Sequence, residues 1–179
     1  MTVTVVAMSA VAAVIPATDV SDGAGRVEDV WTYPRPPALQ PVPRPVRILF
    51  AGCMIASTGA ALRVLETSHP PVYYLPFDAF VDGALEPAAG SSFCEWKGLA
   101  RYWSIRAGGR RAERVAWSYP EPAPAFEALR DHVAVYAGPM DACFVGDEQV
   151  VPQPGGFYGG WITGNLKGPF KGVPGSMGW

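Results

Sequence analysis

The stretch "LARYWSIRAGGRRAERVAW", residues 99–117, decides the fold. Two runs rich in aromatic and β-branched side chains flank Gly108-Gly109, and a glycine pair supplies the positive φ that a tight hairpin turn demands. In the first arm Leu99, Arg101, Trp103 and Ile105 share one face, and Tyr102 points to the other. Working outward, "VRILFAGCMIAST" reads as two short strands joined near Ala51-Gly52. "ALRVLET" and "VYYLP" read as a second pair bent at His69-Pro70-Pro71. "HVAVY" and "ACFVGDEQVV" complete the set, turning at Gly146-Asp147. Only "PAPAFEALRD" suits a helix, opened by Pro122 and Pro124 with Phe126 and Leu129 on one face. The expectation is a mainly β, compact single domain of short antiparallel strands and hairpins with one short helix and extended arms.

Four zones follow from composition: an apolar arm and linker (1–30), a proline-rich strap (31–45), the β domain (46–151) and a Gly/Pro/aromatic tail (152–179). The strap "WTYPRPPALQPVPRP" is read as extended, because proline removes the donors a helix needs. With 20 glycines and 19 prolines in 179 residues, turns should outnumber long helices. A hydrophobic share of 49% against 17% charged residues excludes a disordered chain. A net charge of −2 offers no footprint for a nucleic-acid backbone. Cys53, Cys94 and Cys143 form no Cys-x-x-Cys pair, so they read as free thiols in a reducing compartment. The apolar start has no Lys or Arg before Arg26 and stops at Pro16, too short for a membrane span. We therefore read a cytoplasmic protein whose first residues form an arm or extra strand.

Chemistry concentrates near "RVLETSHPPVYYLP", residues 63–76. On a strand, Leu62, Val64 and Glu66 share a face, so the carboxylate sits among apolar neighbours. It is then either paired with a cation (Arg101, Arg63 or Lys97) or desolvated and raised toward a general acid–base pKa. His69, held extended by Pro70, could be oriented by Glu66. Tyr73 and Tyr74 point to opposite faces, so one of them can join Glu66. Lys97 in "CEWKG" is read as a third catalytic group polarising an oxygen, against the plainer reading of a snorkelling surface lysine. Trp96, Arg101, Tyr102, Trp103 and Trp117 complete the expected substrate-binding set, although sheet packing would also explain them. No metal ligand set and no cofactor motif is found, and His132 reads as structural.

At "ALRVLETSHPPVYYLP", "SFCEWKGLARYWSI", "AWSYPEP" and "VAVYAGPMDACFVGDEQV" the chain resembles the bacterial family known as domain of unknown function 427, over residues 46–151. "VWTYPRPP" and "GGFYGGWIT…GPFKG…GSMGW" are similar to the strap and tail of longer actinobacterial members. The resemblance implies a compact β domain, no settled activity and an inherited nucleotidyltransferase label. That label asks for paired acidic magnesium ligands and a phosphate cradle. The sequence has no Asp-x-Asp and no phosphate loop; Asp78 and Asp82, four apart, are a weak substitute. The fold implied is similar to the β-tent group, whose members often hold zinc through Cys-x-x-Cys knuckles. Here Lys97 stands where the second cysteine of "CEWK" would be, which implies a metal-free version.

Three functions are compatible with these residues. The first is a cofactor-free enzyme performing acid–base chemistry on a small organic molecule in an aromatic pocket, with dehydration, cyclisation, isomerisation and hydrolysis undistinguished. The second is a non-catalytic binder using the same pocket. The third is an interaction module whose aromatic arms wrap a second subunit into a homo-oligomer.

Overall fold

A computed structural model describes residues 26–179; most of the apolar arm lies outside the described residues. The order of elements is β1 (Glu28–Asp29), β2 (Ala38–Pro41), β3 (Val46–Phe50), β4 (Cys53–Thr58), β5 (Leu62–Leu65) and β6 (Val72–Pro76). Then come β7 (Leu85–Cys94), β8 (Gly98–Ala107), β9 (Arg110–Ser118), β10 (His132–Val135) and β11 (Ala142–Val145). Four two-residue strands close the chain: β12 (Glu148–Gln149), β13 (Val151–Pro152), β14 (Trp161–Ile162) and β15 (Leu166–Lys167).

A seven-stranded antiparallel sheet runs in the order β2-β5-β6-β10-β9-β8-β7, and a four-stranded one runs β12-β11-β3-β4. The expected hairpin is β8–β9, with Ala107 paired to Arg110 around the Gly108-Gly109 tip. Strand alternation sorts side chains between two cores. Tyr73, Leu75, Val133 and Val135 face the four-stranded sheet and pack with Val46, Ile48, Phe50 and Ile55. Their neighbours Tyr74 and Ala134 face the opposite way, with Val64, Trp117, Phe126 and Leu129. Alternation along β8 puts Trp103 and Ile105 on the first core and Ala100 and Tyr102 on the second, while the irregularity opposite them falls on β9, between Ala112 and Ala116.

The structure corrects two expectations and refines a third. The strap is not simply extended: Ala38–Pro41 is the edge strand β2, and Val30–Thr32 forms a three-ten turn capped by the Asp29 carboxylate. An edge is where proline fits, since one side of the strand needs no donor. The expected short helix is present, as a three-ten helix over Pro124–Leu129 kinked at Phe126; it is too short to build up an α-helical ladder. It still buries Phe126 and Leu129 on one face, as the spacing implies. Finally, Leu85–Cys94 is a ten-residue edge strand absent from the sequence reading.

The tail folds back on its own domain. Trp161 is 0% exposed, stacks on Tyr73 with ring centroids 5.2 Å apart, and donates its indole N–H to the Val135 carbonyl at 2.9 Å. β15 pairs in parallel with β1, and Trp179 meets Trp31 edge to face at 5.3 Å. Beneath this closure Arg63 donates to both Glu28 oxygens at 3.1 Å, and Tyr33 donates to Glu28 at 2.7 Å. Among the described residues no helix is long and apolar enough to cross a membrane.

Candidate functional site

The second core does not close completely. Between the outer face of the seven-stranded sheet and the tail lies a cavity of about 590 Å³, within the range of small-molecule sites. Its back wall is aromatic: Tyr74 from β6, Tyr102 from β8, Trp117 and Tyr119 around the end of β9, and Tyr136 just past β10. Phe157 and Tyr158 of the tail face them from across the opening. A neighbouring hollow of about 460 Å³ shares Tyr102, Tyr136, Phe157 and Tyr158. Arg114 lies at that hollow's edge with its guanidinium 4.6 Å from the Tyr102 ring centroid. Burial raises the phenols of Tyr74, Tyr119 and Tyr136, so all three stay protonated at neutral pH.

Glu66 faces this cavity, as its alternation with Val64 implies. Its cation is none of those expected: Arg35 of the strap lies 3.4 Å away and also donates to the Thr67 carbonyl at 3.1 Å. Arg63 is occupied by Glu28 and Gln40 on the other side of β5. With 23% of its side chain exposed, Glu66 remains reachable from the cavity.

His69 sits at the corner that Pro70 and Pro71 stiffen. Ser68 before it adopts φ 70, a left-handed conformation costly for a residue with a side chain. The corner is held from both ends of the chain: Ser68 N–H donates to the Val30 carbonyl at 3.0 Å, and Lys171 N–H donates to the Ser68 carbonyl at 2.9 Å. Glu66 touches His69 only through the backbone, its carbonyl accepting the His69 N–H at 3.0 Å. The side chain that orients the imidazole is Gln153 of the tail, whose Nε2 lies 3.2 Å from His69 Nδ1.

The Gln153 amide can point only one way. Its oxygen accepts the Gly160 N–H at 3.0 Å and its nitrogen donates to the Lys171 carbonyl at 2.8 Å; a flipped amide would lose both. The second amide hydrogen then meets His69 Nδ1, which must be the acceptor. The imidazole proton is therefore on Nε2. Burial, with the charges of Lys171, Arg35 and Lys97, pushes the His69 pKa down to about 4, so the ring is neutral at pH 7. Nε2–H has no acceptor among the described residues, and the ring is part of the cavity wall. In this tautomer His69 presents an N–H to the cavity, and the side chain that orients it is Gln153, not Glu66.

Lys97 lines the cavity and is only 8% exposed, which goes against the plainer reading of a snorkelling surface side chain. Its ammonium lies 5.9 Å from the Tyr119 ring centroid and 5.7 Å from that of Phe126. Trp96, Tyr102 and Trp117 line the cavity as expected, and Tyr74 is the tyrosine that joins Glu66. Three residues of the expected set lie elsewhere. Tyr73 is in the other core against Trp161, and Trp103 stands edge-on to Phe77 on that same side, donating to Ser118 at 2.9 Å. Arg101 is exposed at the outer surface. His132 is half-buried and its pKa is lowered by that burial, away from the cavity.

The sequence reading missed the tail's contribution: Gln153, Tyr158 and Lys171. The signal was present in "GGFYGG". A Cβ on Gly159 would overlap the Trp117 ring, and one on Gly160 would come within 2.6 Å of the Pro70 carbonyl oxygen. Those glycines mark where the tail backbone lies directly against the site.

The fold and cavity define an antiparallel β domain with an aromatic pocket closed by its own C-terminal segment. The chain belongs to the family described as domain of unknown function (DUF427), whose model matches residues 38–146. That span runs from β2 through β11, so the match covers the seven-stranded sheet and the Glu66–Lys97 side of the pocket but not β12, Arg35, Gln153 or Lys171. No curated protein matches the chain. The family's short label names a nucleotidyl transfer activity. Among the described residues no three His, Cys, Asp or Glu side chains gather where a metal ion could be held.

Proposed function

We propose that the cavity binds a small organic molecule and transfers a proton on it without a cofactor. Glu66 serves as the proton acceptor and donor, while the Nε2–H of His69 and the Lys97 ammonium polarise an oxygen of the substrate. The observation that carries this reading is the convergence of the half-buried Glu66 carboxylate, the neutral His69 imidazole and the buried Lys97 ammonium on a single aromatic cavity, with Glu95 a second, exposed carboxylate in its lining. Aromatic walls exclude water and strengthen each polar contact inside. Dehydration, cyclisation, isomerisation and hydrolysis share these parts, and the cavity's size and walls suit any of them.

One contact favours a second reading, a binder without turnover: the Arg35 guanidinium lies 3.4 Å from Glu66, so the carboxylate already has a partner and can serve to anchor a ligand. Incubating the full chain with a mixture of small metabolites, followed by mass spectrometry and ligand-observed NMR, separates the two. For an enzyme, at least one bound component is consumed, and Glu66→Gln binds that component without consuming it. Binding with no consumption by the native chain would leave only the binder.

A further inference from the structure

The buried polar groups of the cavity lining, Lys97 and His69, both bring donors, while the lining carboxylates are the half-buried Glu66 and the exposed Glu95. Lys97 is more than nine-tenths buried, and no carboxylate lies within ion-pairing distance of its Nζ among the described residues. Its neighbours are two ring faces, which compensate a buried cation only in part. His69, 7% exposed, brings a second N–H whose tautomer is fixed by Gln153. The phenols of Tyr74 and Tyr119 are neutral. The Glu66 carboxylate is matched by Arg35, and the other lining carboxylate, Glu95, is exposed and makes no ion pair with Lys97.

Resting on the small-molecule reading of this cavity, we infer that its ligand is an organic carboxylate with a flat aromatic body. The two carboxylate oxygens are shared between Lys97 and the His69 N–H, and the ring lies against Trp117, Tyr102 and Tyr136. An ammonium and an imidazole N–H are complementary to a carboxylate, since each oxygen takes one charge-assisted or polarised donor. The aromatic walls take a planar ring by stacking or edge contact. The open side leads into the adjoining hollow past Tyr102 and Tyr158, so a substituent on the ring's far end has room to extend.

Indole-3-acetate and indole-3-acetamide test this, because they share one shape and differ in charge. Titrated by calorimetry into the full chain at pH 7, the acid should bind about tenfold more tightly than the amide or better, a difference worth roughly 1.4 kcal/mol. Lys97→Met should abolish the acid's advantage over the amide, the acid losing at least about tenfold more affinity than the amide does. Equal binding of the two probes by the native chain would overturn the inference while leaving the cavity as a binding site. So would an acid preference that survives in Lys97→Met. Binding of neither probe would overturn it too, and would count against the cavity reading as a whole. Should Lys97→Met not fold, the acid–amide comparison on the native chain decides alone.

Discussion

Replacing Gln153 with leucine tests the structural link between tail and site. The amide makes three hydrogen bonds, at 3.0 Å from Gly160 N–H, 2.8 Å to the Lys171 carbonyl and 3.2 Å to His69 Nδ1. Leucine has nearly the same volume, so little cavity forms and the loss is polar. Each buried group left without a partner costs roughly 1–3 kcal/mol. The Gly160 N–H and the Lys171 carbonyl are both stranded, while the imidazole can turn, giving a total of about 3 kcal/mol. In a chain of this length that lowers the melting temperature by about 6–12 °C. Because the chain has only two histidines, the tautomer of His69 can be followed directly by long-range ¹H–¹⁵N NMR. Gln153→Leu should lose the pure Nε2–H form. Gln153→Glu should go further: the carboxylate accepts the Gly160 N–H but gives Nδ1 no donor, so His69 takes a second proton and its pKa climbs from about 4. A leucine variant that melts within about 2 °C of the native chain, with the Nε2–H tautomer intact, would refute both the network and the tautomer assignment.

Two further outcomes are expected. The folded pKa of His69, about 4 against 6.5 unfolded, means the unfolded chain binds the extra proton first. Stability is complete above pH 6.5 and falls by roughly 3 kcal/mol as pH drops toward 4, so His69→Asn should flatten that acid limb in urea titrations; an unchanged limb would exclude the buried neutral imidazole. Gly159→Ala places a methyl group into the Trp117 ring, and overpacking of this kind costs about 1–3 kcal/mol. Its signature is a shift in tryptophan emission with loss of ligand binding, and native-like emission would show that the tail does not press on Trp117.

Strands whose side chains divide between inside and outside could be read from the sequence, because burial imposes the period that reveals them. β3 shows it most plainly, whereas β6 and β10, buried on both faces between the two cores, read as short apolar runs with Tyr73 and Tyr74 on opposite sides. β7 could not be read this way. It is an edge strand, mostly exposed along its length and interrupted by Pro87 and Gly90, so no apolar alternation marks it. The site divides similarly. Glu66 was found because its strand neighbour Val64 betrays the face they share. Its partner Arg35, and the Gln153 that orients His69, come from segments far away in sequence, and neither strap nor tail carries a periodic pattern. Local spacing instead suggested a Glu66–His69 side-chain pair, which the backbone turn between them does not allow.

The closure by the tail has a consequence for a clipped chain. The two large sheets use strands only as far as β12, whereas Gln153, Tyr158, Trp161 and Lys171 all lie beyond it. Cleavage after residue 149 would keep every pairing partner of those sheets yet leave Tyr73 unstacked, Trp117 uncovered and His69 without the amide that fixes its tautomer. The aromatic wall would then be an open apolar surface of the kind that invites association.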